Sequence, residues 1–93
     1  MIDVEDHSYI KVIEGDGKLD VGIYHGLKVT LRINGWPVDE VMVFLEGQVK
    51  IIYEDSTSKI YGPGDMQVMP KGFVGIWRQL GPIKKANISY QGQ

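Results

Sequence analysis

Residues 62–77 read Gly62-Pro63-Gly64-Asp65-Met66-Gln67-Val68-Met69-Pro70-Lys71-Gly72-Phe73-Val74-Gly75-Ile76-Trp77. A turn, a short apolar run, a second turn and a second apolar run follow one another. Pro63 presets the backbone angle for a turn at Gly64-Asp65, and Gly64 permits positive φ there. Pro70 can close a strand because it has no N–H to give to a ladder, and Gly72 allows the next bend. Two short strands, Met66–Met69 and Val74–Arg78, are the expected result.

The same punctuation runs through the rest of the chain, which has 12 glycines and 4 prolines in 93 residues. Tyr9–Ile13 alternates around Lys11 and runs into Glu14-Gly15-Asp16-Gly17, where Asp16-Gly17 is a favoured hairpin dipeptide. Leu19–Tyr24 and Val29–Ile33 are separated by His25-Gly26. Glu40–Leu45 and Val49–Tyr53 flank the tight turn Glu46-Gly47-Gln48. Lys59–Tyr61 follows the turn cluster Glu54-Asp55-Ser56-Thr57-Ser58, and Lys84–Tyr90 completes the set. The glycine- and proline-free stretches Met1–Glu14 and Gln48–Tyr61 lack a helical apolar period, so almost no helix is expected. About eight or nine short strands with turns between them predict an all-β sandwich or barrel.

Bulk composition narrows the function classes. Hydrophobic residues at 43% and charged residues at 24% describe a folded domain, not a disordered segment. Net charge is −2 and the largest basic cluster is Lys84-Lys85, so the basic stripe of a nucleic-acid binder is missing. The chain has no cysteine, which excludes disulfides and thiolate metal sites and suits a cytoplasmic protein. Its longest aliphatic or aromatic run, Val41-Met42-Val43-Phe44-Leu45, is too short to span a bilayer. The acidic start Met1-Ile2-Asp3-Val4-Glu5-Asp6 lacks the positive region of a signal peptide. One domain over residues 1–93 is expected, small enough that self-association would help it.

Two stretches together resemble the paired motifs of the cupin superfamily. Glu40 is followed by six residues and Gly47; Gly64 is followed by five residues, Pro70, one residue and Gly72. Asp39-Glu40-Val41, Phe44-Leu45-Glu46-Gly47, Gly62-Pro63-Gly64-Asp65, residues 70–77 and Pro82-Ile83-Lys84-Lys85 look like one branch of that superfamily. It comprises small single-domain cupins related to ureidoglycine aminohydrolase and ethanolamine-utilisation cupins. The likeness covers roughly residues 20–90 and implies an all-β, small single-domain jelly-roll β-barrel. Carried over residue by residue, the two histidine positions of the first motif fall on Asn34 and Trp36 and its acid on Glu40. The histidine of the second motif falls on Gly75 and its final asparagine on Gln79. Only Glu40 keeps a strong ligand, so no metal and no other cofactor is expected. His7 and His25 lie outside both motifs.

On that alignment, strand parity turns Arg32, Asn34 and Trp36 inward, along with Glu40, Met42 and Phe44, Met66 and Val68, and Gly75, Trp77 and Gln79. Arg32 and Asn34 would form a polar wall, Trp36 and Trp77 aromatic walls, and the space freed at Gly75 an opening. Such an apolar lining with a few convergent polar groups suits a small ligand. Plainer readings stand beside it: core packing for both tryptophans, and an ion pair with Arg32 or Arg78 for Glu40. Period alone cannot say whether the polar face of Val29–Ile33 lines a cavity or meets solvent.

The expectation is a metal-free small-molecule-binding cupin. It would be a homodimer joined or covered at its open sheet edges by strands around Tyr9–Ile13, with no nucleic-acid or membrane partner. The alternatives are an enzyme acting on a small nitrogenous or sugar-like metabolite, with Glu40 as acid/base and Tyr24 or Tyr61 as remoter candidates, and a non-catalytic assembly or regulatory protein.

Overall fold

In a computed structural model, which describes residues 4–14 and 18–91 and side chains over 19–90, each apolar run between turns becomes a strand. The strands are β1 (Val4–Glu14), β2 (Lys18–Gly26), β3 (Val29–Asn34), β4 (Asp39–Glu46) and β5 (Val49–Tyr53). They continue as β6 (Ser58–Tyr61), β7 (Met66–Met69), β8 (Val74–Gln79) and β9 (Ile83–Gln91). Among the described residues there is no helix. The Gly15-Asp16-Gly17 turn expected from sequence lies outside them.

Two antiparallel sheets face each other, one in the order β1-β2-β9-β4-β7 and the other β3-β8-β5-β6. This is the all-β jelly roll expected from sequence. Between the sheets lie Tyr24, Ile33, Met42, Phe44, Val49, Ile51, Tyr61, Met69, Trp77 and Ile83. Burying each large apolar side chain here contributes about 1.5–3 kcal/mol. Phe44 stands at the centre, stacked on Tyr61 at 5.7 Å and tilted against Trp77 at 6.2 Å.

Two parity expectations are corrected. On β3, Val29, Leu31 and Ile33 turn inward and Arg32 and Asn34 outward. Gly35, at φ 104°, resets the alternation: its N–H and that of Trp36 both donate to the Phe73 carbonyl, at 3.0 Å each. Two residues thus oppose one, as in a β-bulge, and Trp36 reaches the core while Asn34 does not. On β7 the ladder pairs Met69 with Glu40 and Gln67 with Met42. Directly paired residues share a face, so Gln67 and Met69 turn inward, leaving Met66 65% and Val68 61% exposed.

The turn at Gly62–Asp65 docks on β4. Phe44 N donates to Asp65 O and Gly64 N to Phe44 O, both at 2.9 Å, while the Asp65 carboxylate accepts from Gly62 N at 2.8 Å. Gly64 and Gly47 both have positive φ, 90° and 78°, but differ in surroundings. A Cβ at Gly64 meets nothing within 4 Å, whereas one at Gly47 falls on the Pro82 carbonyl oxygen. Gly64→Ala is therefore expected to lower stability by about 1–2 kcal/mol, the strain of left-handed backbone alone. Gly47→Ala must also displace backbone, and its loss should exceed 3 kcal/mol on the order-of-magnitude scale of overpacking added to strain. Urea unfolding of both variants measures the difference, and equal losses would contradict the packing at Pro82.

Candidate functional site

The inner face of the five-stranded sheet is polar where β9, β4 and β7 run side by side. Register sets three rows across these strands: Ser89 beside Glu40 and Met69, Asn87 beside Met42 and Gln67, and Lys85 beside Phe44. Lys85 is only 5% exposed. Its Nζ donates to Asn87 Oδ1 at 2.6 Å and to Glu40 Oε2 at 3.3 Å. The same ammonium lies over the Trp77 ring at 5.1 Å and the Tyr24 ring at 5.3 Å. Burial pushes Lys85 below the ordinary lysine range, against the pull of the Glu40 carboxylate. Two charge-assisted hydrogen bonds and two aromatic faces thus compensate a buried cation.

Gln79 holds the aromatic part of this cage. Its Oε1 accepts from Trp77 Nε1 at 2.9 Å and from Tyr24 OH at 3.1 Å, while Nε2 donates to Leu27 O at 2.5 Å. Gln79 has no measurable exposure. The ligand-contact role expected of it is therefore corrected: its amide is taken up in orienting Trp77 and Tyr24. Met42 and Phe44 are likewise fully buried, and Trp77 is 2% exposed, so all three pack the core instead of lining an opening. Trp36 is half-buried against the core, and its Nε1 is buried without a partner.

The expected polar wall is on the other side. Arg32, Asn34, Met66 and Val68 face away from the interior. Glu40 faces inward, but its partner is Lys85, not Arg32 or Arg78; Arg78 Nε donates instead to Thr30 Oγ1 at 3.3 Å. The space expected at Gly75 is also absent. A Cβ there would lie 2.5 Å from the Ile52 carbonyl oxygen and 2.7 Å from the Phe73 ring. Phe73 packs edge-on to Tyr53 at 6.0 Å and fills the position.

The residues present do not fit the metal centre that the cupin motifs imply. Of the four motif ligand positions only Glu40 carries a strong donor, and its carboxylate meets an ammonium. Among the described residues no three His, Cys, Asp or Glu side chains come together.

Sequence reasoning missed Lys85, Asn87 and Gln67. In β9 the polar residues Lys85, Asn87 and Ser89 alternate with Ala86, Ile88 and Tyr90. Ordinary patterning would put the second set inside. The alternation was available as a signal, but it pointed to the wrong face.

Two adjoining surface cavities, of about 460 and 290 Å³, share Tyr53, Glu54 and Val74. They run along the Tyr53–Ser56 turn and the Pro70–Val74 segment, away from the Glu40–Lys85 pair. Their charged lining, from Arg32, Glu54, Asp55 and Lys71, is solvent-exposed. The interior polar cluster is the better candidate because its groups are buried and converge.

Three expectations follow from this geometry. Lys85→Met should destabilise the fold by about 3 kcal/mol, because Glu40 is left without its partner. Glu40→Leu combined with Lys85→Met should recover most of that loss in urea unfolding. Wild-type stability should rise with pH up to the ordinary lysine value of 10.5. Over the window between Lys85's depressed value and 10.5, the unfolded chain binds the proton that the folded chain has lost. Lys85→Met should remove that rise. Gly75→His, which restores a motif histidine, should lower the melting temperature and bring no stoichiometric Zn or Mn on elemental analysis.

The comparisons agree with this architecture. A family model described as the EutQ-like cupin domain matches residues 30–86. A Rhizobium leguminosarum bv. viciae structure of unknown function is 27% identical, covers 91% of this chain and 81% of its own, and superposes with a TM-score of 0.66. The Clostridium difficile EutQ protein is 15% identical, with 91% and 68% coverage and a TM-score of 0.73, a likeness of fold alone. A DUF861-family protein from Thermotoga maritima is 25% identical, with 76% of each chain covered and a TM-score of 0.62. No curated protein matches the chain. With the family model spanning more than half of its length, the chain belongs to the EutQ-like cupin domain family.

Proposed function

We propose that this cupin domain binds a small molecule without a metal, at the polar inner face formed by Glu40, Lys85, Asn87 and Gln67. One observation carries the reading: Gln67 is 8% exposed, and its Oε1 is buried with no hydrogen-bond partner. An unpaired buried acceptor costs about 1–3 kcal/mol, which a donor from a ligand would recover. The neighbouring charges already balance, since Lys85 pairs with Glu40. The Trp77 face already holds the Lys85 ammonium, which disfavours an aromatic or quaternary cation. A compact, uncharged molecule with N–H donors, such as a ureide or amide, fits these terms best.

A second reading is favoured by the same pair. A carboxylate 3.3 Å from a lysine with a depressed pKa is a proton donor–acceptor couple. With Glu40 as acid/base, the domain would be an enzyme on a small nitrogenous substrate.

A thermal-shift screen with allantoin, hydantoin, acetamide, glucose and tetramethylammonium tests the first reading. A ureide or amide should raise the melting temperature, by the equivalent of about 2.7 kcal/mol at a hundredfold excess over Kd. Gln67→Leu should abolish the shift. A shift given only by tetramethylammonium, or none from any compound, would refute the assignment. Glu40→Gln separates the second reading from the first, since an enzyme loses turnover while binding persists.

A further inference from the structure

The outer face of the four-stranded sheet gathers three cations that are far apart in the sequence. Arg78 on β8 pairs directly with Lys50 on β5 and with Thr30 on β3, in a row that ends at Ile60 on β6. The next row runs Arg32, Ile76, Ile52, Ser58 across the same strands. Trp77 and Ile51, between these rows on β8 and β5, are buried in the core, so both rows face out. Like charges directly opposite one another cost stability in a sheet, and Lys50 and Arg78 stand so. Among the described residues no carboxylate pairs with Arg32, Lys50 or Arg78, and Arg78 Nε donates to a hydroxyl, Thr30 Oγ1, at 3.3 Å. Beside Arg32 the face opens into the cavity of about 290 Å³, lined also by Ile52, Val74 and Ile76. Glu54, just past the end of β5, is the one carboxylate in that lining.

We infer that this face docks an acidic, extended segment of a partner protein, one that carries an apolar side chain among its carboxylates. Charge complementarity favours that occupant. The chain has a net charge of −2, so its surface elsewhere is on balance negative, whereas this face holds three cations without a counter-charge. A carboxylate set between Lys50 and Arg78 would turn their repulsion into two charge-assisted contacts. The isoleucines beside the cations, and the recess next to Arg32, give an apolar side chain a place to leave water. The same features disfavour a nucleic acid. Bases would need aromatic side chains to stack on, and the two rows carry none, while Glu54 would repel a phosphate. Positions 32, 50 and 78 meet only through strand register, so no basic stripe shows along the chain. The surface lies outside the barrel and is independent of the interior polar cluster.

Fluorescence anisotropy tests this with the full chain and a fluorescein-labelled peptide of Asp and Glu residues around one Leu. The peptide should bind at low salt, weaken as salt rises, and weaken again when its Leu is replaced by Ser. Lys50→Gln should weaken binding about three- to fivefold, the order of one charge contact near a surface. It should not lower the melting temperature of the free protein, because the repulsion with Arg78 is relieved. Lys59→Gln changes the net charge equally, but Lys59 pairs with the inward Ile51 and lies off this face, so its binding should match the wild type. No binding of the acidic peptide overturns the proposal, as does equal weakening by the two substitutions. So does a Lys50→Gln protein that loses stability along with binding, or an oligothymidylate that binds as tightly as the peptide. A sedimentation mass that falls in Lys50→Gln would assign the face to a second copy of the chain and overturn it too.

Discussion

The ammonium of Lys85 is the constraint on which the rest of the interior depends. A lone buried cation would be too costly to keep, so its surroundings have to supply compensation. β4 supplies the Glu40 carboxylate, and β9 itself supplies Asn87 two residues along. β2 and β8 supply the rings of Tyr24 and Trp77, and Gln79 fixes both rings through one oxygen. Leu27, in the turn after β2, in turn fixes Gln79. Slippage of β9 against β4 by one residue would turn Lys85 to solvent and put an apolar side chain opposite Glu40. A one-residue slip would thus break the pair, so the ion pair opposes that misregistration.

Turns were readable in the sequence because their requirements are local. Positive φ at Gly47, Gly64 and Gly72 needs only the glycine itself, and these three mark the β4–β5, β6–β7 and β7–β8 turns. Side-chain direction was not readable in the same way. On β3 the bulge at Gly35 reversed the parity that links Asn34 to Trp36. On β7 the register with β4 outweighed hydrophobicity, putting Gln67 inside and Met66 outside. At Gly75 the absent side chain suggested space, but the neighbouring Phe73 ring occupies it. Each of these outcomes depends on a residue far along the chain or on a partner strand, which no local pattern encodes.

The polar set on the inner face of β9 joins the interior to the outer surface. In a strand, choosing one face for the polar set fixes the other face for the apolar set. Once Lys85 and Asn87 are committed to the barrel, Ala86, Ile88 and Tyr90 are committed to the outside. The exposed apolar surface on β9 is thus a geometric consequence of a charged interior. Val41 and Val43 follow for the same reason from inward Glu40 and Met42.

A lysine in this position also sets what the barrel can offer a bound molecule. A divalent ion with open coordination positions accepts ligand lone pairs and can be exchanged. An ammonium only donates hydrogen bonds, stays tethered to its strand, and changes charge with pH. Here its strongest contacts are already taken by Asn87 and Glu40. What remains unpaired nearby is an acceptor, Gln67 Oε1. On the binding reading proposed above, this face would favour a ligand that donates to Gln67 Oε1, whereas a metal-centred barrel of the same fold favours one that offers lone pairs.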